Sequence, residues 1–150
     1  MLRIKDIMTA SVCTINATDN VMQAAKLMEV ADMGVIPVCN GDNVVGMLTD
    51  RDIVLRCTAL GKDANHTVVS DIMTNKVISV SSLHSITDAA VVMAREQIRR
   101  LPVIDEGKIV GIVSIGDLAK QKNFDIEVSM AIAEISEIPS VHNAKRNKII

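Results

Sequence analysis

"VVGMLTDRDI", residues 44–53, and "IVGIVSIGDL", residues 109–118, carry one pattern twice. Each runs from an apolar stretch through a glycine (Gly46, Gly111) to a hydroxyl (Thr49, Ser114) and, three positions later, a carboxylate (Asp52, Asp117). Two readings of the polar pair are open. In the first, hydroxyl and carboxylate form a capping box that satisfies exposed N–H groups at a helix start, worth about 1 kcal/mol. In the second they are the polar ends of two equivalent pockets.

Outward from these stretches, one offset of 65 holds without a gap from residue 6 to residue 53. Asp6-Ile7-Met8-Thr9 returns as Asp71-Ile72-Met73-Thr74, and Ala24-Ala25 with Met28 as Ala89-Ala90 with Met93. Pro37-Val38 returns as Pro102-Val103, and Val45-Gly46 as Val110-Gly111. In all, 13 of 48 positions are identical, where unrelated segments would share only a few. The chain is an internal duplication.

Each copy has the same grammar. A short β-type run opens it, "VCTI" (12–15) or "VISV" (77–80). A helical stretch follows, with Val21, Ala24, Ala25 and Met28, or Ile86, Ala89, Ala90 and Met93, at helical spacing. Thr18 and Ser85 are the expected N-caps. Two strands come next, "GVIPV" and "VVGMLT" in one copy and "RLPVI" and "IVGIVS" in the other, joined by the turn residues of "CNGDN" and "DEGK". A closing helix begins near Asp50 or Ile115.

The expected fold is therefore mixed α/β (α+β), with two β-α-β-β-α repeats and a C-terminal helix. The first repeat covers 6–60, a polar linker 61–70, the second repeat 71–121, and a terminal helix with a basic tail 122–150. A unit of about 50 to 60 residues is marginal alone, so the repeats are expected to pack sheet to sheet as a pseudo-twofold pair. In the last segment, Ile126, Met130, Ala133 and Ile135 suit a helix over 125–138, ahead of Pro139.

Composition narrows the function. The 150 residues are 49% apolar with a formal net charge of −2, which lacks the basic footprint of a nucleic-acid binder. There is no Trp or Tyr and one Phe, Phe124, so aromatic platforms for stacking bases are missing. No apolar run approaches the roughly 20 residues of a membrane span, and the N-terminus has no continuous apolar segment of signal-peptide type. A cytoplasmic protein is expected. Cys13, Cys39 and Cys57 are far apart without a C-x-x-C, and read as small apolar residues in a reducing compartment.

The tandem β-α-β-β-α unit, with D-I-M-T opening each copy, Pro-Val in the middle and G-h-h-[ST]-x-x-D at the last strand-to-helix turn, resembles a pair of CBS domains. These are the cystathionine-β-synthase-type regulatory modules. The likeness covers residues 6–121 and is similar to small stand-alone CBS-pair proteins and to the CBS insert of IMP dehydrogenase. It implies a homodimeric regulatory module with two sites in a cleft between the repeats. The implied ligand is AMP, ADP, ATP or S-adenosylmethionine, and no cofactor is required.

On that resemblance, Asp52 and Asp117 hold a ribose, and Thr49 and Ser114 lie near ribose and phosphate. The chemistry agrees, since an ionised Asp is acceptor-only and can take both vicinal ribose hydroxyls. An adenine would lie between aliphatic side chains: Ile15, Val35 and Ile36 in the first copy, Val80, Arg100 and Leu101 in the second. Pro37 and Pro102 interrupt strand pairing, leaving backbone groups to read a purine edge or simply protecting a strand edge. Both roles stay open. Arg51, beside the first helix start, is the expected phosphate ligand, because a guanidinium grips phosphate bidentately. The second copy instead has Arg99-Arg100. The sites are thus expected to be non-equivalent, the first favouring the more highly charged ligand.

His66, His84 and His142 have no metal-site spacing and read as surface or capping residues, and the methionines as packing. Lys145, Arg146 and Lys148 read as a solvated tail. No nucleophile elbow, zinc helix or phosphate-cradling glycine loop is present, so an enzyme is not expected. The alternatives are a ligand-free structural or partner-binding module with an unidentified protein target, and the regulatory piece of a larger enzyme such as IMP dehydrogenase. Met1, close before the first repeat, favours a complete protein.

Overall fold

In chain order the elements are α1 (Ile4–Ile7), β1 (Ile15–Asn16), α2 (Val21–Ala31), β2 (Val35–Asn40), β3 (Asn43–Thr49), α3 (Asp50–Ile53), α4 (Ile86–Glu96), β4 (Arg100–Asp105), β5 (Lys108–Ser114) and α5 (Ile115–Ala119). They come from a computed structural model that describes residues 1–121. The expected terminal helix, His142 and the basic tail lie outside the described residues. Each copy has the expected β-α-β-β-α order, although the opening strands are short. In the first copy only Ile15–Asn16 pairs, and in the second only an isolated bridge, Val80 to Val103, forms. Among the described residues no helix is long and apolar enough to cross a membrane.

Local chemistry explains the helix limits. Asn20 caps α2, accepting from the Gln23 amide at 2.9 Å while Gln23 Oε1 accepts from the Asn20 amide at 2.9 Å. The expected cap, Thr18, stands two residues earlier and donates its hydroxyl to Asn16 Oδ1 at 2.9 Å. Asn20 takes the role because it alone has the reciprocal Gln three residues on. Ser85 caps α4 as expected, in a box with Asp88. Both helices end on a left-handed residue, Asp32 (φ 51°) and Gln97 (φ 58°), which closes the last turn.

The chain forms two compact units, and they do not coincide with the two sequence copies. One contains Ala10–Ser79 and Ile104–Val110; the other contains Met1–Thr9, Val80–Val103 and, of the described residues, Gly111–Gln121. In the first unit β1 runs parallel to β2, and β2 pairs antiparallel with β3 from Val35 opposite Thr49 to Asn40 opposite Asn43. The 104–110 hairpin tip joins through Lys108 opposite Asn43. Val21, Ala24 and Met28 of α2 pack with Ile15, Ile36, Val38, Leu48, Cys57, Val69 and Ile72 into its core. In the second unit Ile4, Ala89, Ala90, Met93, Leu101, Val103, Val113 and Leu118 are wholly buried.

The D-I-M-T openers change partners. Met73-Thr74 lies in the first unit, where Thr74 and Met47 exchange both backbone bonds at 2.9 and 3.0 Å. Met8-Thr9 lies in the second, where Thr9 and Ile112 do the same at 2.9 Å. This accounts for the repeated glycine. An ideal Cβ on Gly46 would stand 2.6 Å from Met73 Sδ, and one on Gly111 would stand 2.5 Å from Met8 Sδ. The glycine of each copy makes room for the methionine that opens the other.

The expected polar linker is built into the first unit. The carbonyls of Thr67 and Ala64 accept from the Val21 and Met22 amides at 2.9 and 3.0 Å. They satisfy first-turn donors of α2 that have no partner within the helix.

Candidate functional site

β3 delivers Thr49 to the start of a helix in extended conformation (φ −112°, ψ 159°), and β5 delivers Ser114 in almost the same one (φ −110°, ψ 161°). Thr49 Oγ1 accepts from the Asp52 amide at 3.0 Å, and Asp52 Oδ2 accepts from the Thr49 amide at 3.0 Å. Ser114 Oγ accepts from the Asp117 amide at 3.1 Å, and Asp117 Oδ2 accepts from the Ser114 amide at 2.8 Å. The capping reading of both motifs is therefore realised. It does not exhaust the carboxylates. Among the described residues, the hydrogen bonds to both aspartates fall on Oδ2, Ser114 Oγ included at 2.8 Å. Oδ1 of Asp52 faces the Arg56 guanidinium at 3.8 Å. Asp52 is nonetheless largely buried, with 8% of its surface exposed.

The neighbouring strand ends are tied to these turns. The Asp50 amide donates to Gly34 O at 3.0 Å, and the Ile115 amide to Arg99 O at 2.8 Å. Val35 lies directly opposite Thr49 in the β2–β3 register, so this half-buried side chain is brought to the hydroxyl. Ile15 and Ile36 are core residues of the first unit, and Val80 and Leu101 are buried in the second. Pro37 and Pro102 are buried, and Pro102 O already accepts from the Val80 amide at 3.2 Å. Arg100 is exposed at the start of β4.

Arg51 is exposed on the outer face of α3, where Asp50, Arg51, Val54 and Leu55 line a groove of about 300 Å³. Beyond Ile53 this helix continues as a π-helical turn over Val54–Thr58, closed by the Ala59 amide on Val54 O at 2.8 Å. The turn sends Arg56 back toward the motif. Its Nη1 donates to Ile72 O at 3.0 Å and Met73 O at 3.3 Å. Sequence reasoning singled out Arg51 and passed over Arg56, although the Asp52–Arg56 spacing of four residues was a usable signal.

Other titratable groups play structural parts. His66 Nδ1 pairs with Asp63 Oδ2 at 2.6 Å, and that contact holds the Asp63 carboxyl below its usual range. His84 Nδ1 accepts from the Ser81 amide at 3.2 Å. Cys39 and Cys57 are buried, and burial pushes the Cys39 thiol up. Among the described residues no group of three or more His, Cys, Asp or Glu could hold a metal ion.

The CBS domain family model matches residues 4–58 and 69–122. The CBS domain-containing protein YhcV of Bacillus subtilis is 42% identical over 136 residues, covering 91% of this chain and 96% of that protein. Hypoxic response protein 1 of Mycobacterium tuberculosis is 37% identical over 121 residues, 80% of this chain and 85% of its own. The crystal structure of Hypoxic Response Protein I with two coordinated zinc ions matches with a TM-score of 0.73 at 37% identity, covering 80% and 98% of the two chains. The hexameric CBS-CP12 protein from bloom-forming cyanobacteria matches with a TM-score of 0.69 at 31% identity, covering 82% and 73%. With the family pattern matched twice across most of its length, the chain belongs to the CBS domain family and carries the domain in tandem.

Proposed function

We propose that the chain is a regulatory module that binds adenosine nucleotides at two non-equivalent sites, one around Thr49 and Asp52 and one around Ser114 and Asp117. The observation that supports this is the pair of matching strand-end constellations. In each, one carboxylate oxygen completes a capping box, and among the described residues the hydrogen bonds to the carboxylate all fall on that oxygen. A ribose offers two vicinal hydroxyl donors, the chemistry a carboxylate suits. Family membership points the same way, toward regulation rather than catalysis. The first site has an arginine, Arg51, where the second has Gly116. It is accordingly assigned the more highly charged ligand. We place the module in the cytoplasm as a homodimer, a state in keeping with the hexamer formed by the CBS-CP12 neighbour.

The test starts from the absence of Trp and Tyr, which leaves the protein almost transparent in the near ultraviolet. An adenine band in the purified protein, with a nucleotide released on denaturation, identifies the ligand directly. Asp52→Asn and Asp117→Asn each retain an oxygen for the capping amide and lose the negative charge. Each is expected to weaken AMP binding at its own site about tenfold, the loss of roughly one charged hydrogen bond. Arg51→Ala is expected to weaken ATP more than AMP. No adenine band, and no thermal shift with AMP, ATP or S-adenosylmethionine, would refute the proposal in favour of a ligand-free partner-binding module.

A further inference from the structure

We propose that Arg56 is a positioning residue that joins the Asp52 carboxylate to the backbone of residues 72–74, so that a change at Asp52 is transmitted to that segment. The inference rests on the nucleotide reading only for what makes the change in the cell. The joint itself is a matter of geometry.

Arg56 stands one helical turn after Asp52. Its Nη1 donates to Ile72 O at 3.0 Å and Met73 O at 3.3 Å, reaches Thr74 Oγ1 at 3.5 Å, and stands 3.8 Å from Asp52 Oδ1. One guanidinium nitrogen carries two protons and here faces four acceptors. Strengthening or weakening any one acceptor therefore redistributes the bonds to the rest. The Arg56 side chain is 49% exposed, so its attraction to Asp52 is screened and the carbonyl bonds do most of the holding.

The segment so held is the one that fits β3. Met73 lies over Gly46, and Thr74 and Met47 exchange backbone bonds at 2.9 and 3.0 Å. Thr49, two residues after Met47, is the hydroxyl of the site. Hydroxyl donors arriving at Asp52 Oδ1 draw negative charge away from Arg56, which then leans further on the Ile72 and Met73 carbonyls and tightens the segment.

Among the described residues the second copy shows no such joint. Its equivalent of Arg56 is Gln121, a neutral side chain whose Nε2 donates to Asp117 O at 3.0 Å. Transmission is thus a property of the first copy, and the two copies differ in what occupancy does as well as in what they take.

Native-state hydrogen exchange at the Met47 and Thr74 amides, in the full chain, tests this with and without AMP. In the ligand-free protein, Arg56→Gln is expected to speed exchange at both amides about fivefold, because it loosens the segment that pairs with Met47. Arg56→Lys, which keeps the charge and one line of donors, is expected to recover part of that. Asp52→Asn is expected to change exchange at both amides in the parent and to change nothing in the Arg56→Gln background. Independent, additive effects of Asp52→Asn and Arg56→Gln would overturn the proposal, as would parent-like exchange in Arg56→Gln. With AMP, protection of both amides is expected to rise in the parent and to stay flat in Arg56→Gln, although that variant still binds. If the parent binds no AMP, the nucleotide reading fails, and the ligand-free double-mutant comparison still decides the role of Arg56.

Discussion

Gly46→Ala places a methyl group where Met73 and Thr74 leave no room. The new Cβ would stand 2.6 Å from Met73 Sδ, 3.1 Å from Met73 Cγ and 2.9 Å from Thr74 O, against ordinary contacts of 3.4–4 Å. The sulfur is the far end of a flexible chain and can swing away. The Thr74 carbonyl cannot, because it accepts from the Met47 amide at 3.0 Å while the Thr74 amide donates back at 2.9 Å. Overpacking of this kind costs about 1–3 kcal/mol. Displacing the carbonyl weakens one backbone bond, about 1 kcal/mol more. Replacing a strand glycine by alanine returns about 0.5–1 kcal/mol of backbone entropy. The net is a destabilisation of about 2 kcal/mol, or roughly 4–8 °C in Tm for a chain of this size. Urea unfolding followed by far-ultraviolet circular dichroism measures it, since the chain has no Trp for fluorescence. Partner exchange sharpens the test. Met73→Ala should relieve about half of the Gly46→Ala penalty, the sulfur part, and Met8→Ala should relieve none of it. For Gly111→Ala the two methionines trade roles. A Gly46→Ala protein within about 0.5 kcal/mol of the parent, or one rescued equally by either methionine, would refute the packing argument.

Ser85→Ala removes the side-chain cap of α4 and should cost about 1 kcal/mol in the same urea assay. The same substitution bears on acid stability. The Ser85 hydroxyl, with help from its backbone N–H, holds the Asp88 carboxyl below the usual aspartate range. A lowered folded pKa gives stability that is present above the unfolded value and lost as pH falls through the folded one. The acid-side slope of stability should therefore flatten in Ser85→Ala; an unchanged slope would remove Asp88 as its source. Gly116→Ala, whose Cβ would meet, among the described residues, Ser114 Oγ at an ordinary 3.6 Å, should raise stability by about 0.5 kcal/mol, and a loss would show that the first turn of α5 needs the glycine.

The duplication was legible because one constant offset aligns the two copies, and the element order and the capping boxes because each depends on residues within about one turn or one strand of each other. Thr49 with Asp52, Ser114 with Asp117, and Ser85 with Asp88 all sit three residues apart, and the structure pairs them as that spacing requires. The α2 cap was misplaced by two residues because Thr18 and Asn20 are both good cap residues, and only the reciprocal Gln23 separates them. Ile15, Ile36 and Leu101 read as aliphatic walls for a base, and the structure buries their side chains; alternation along a strand does not say whether a pocket or the core takes that face. The role of Arg56 was hidden for another reason. Its main acceptors lie 16 and 17 residues away, across a loop whose path no periodicity describes.

The pairing of openers with glycines is where the sequence by itself stops. Two identical D-I-M-T segments and two equivalent glycines allow each opener to pack on its own copy or on the other, and local spacing is the same in both arrangements. Only the folded chain distinguishes them. It places Met73 over Gly46 and Met8 over Gly111. Composition, period and caps thus determined what each copy is, since those are short-range properties of the chain. Which segment completes which copy is a long-range contact, and close packing in three dimensions decides it.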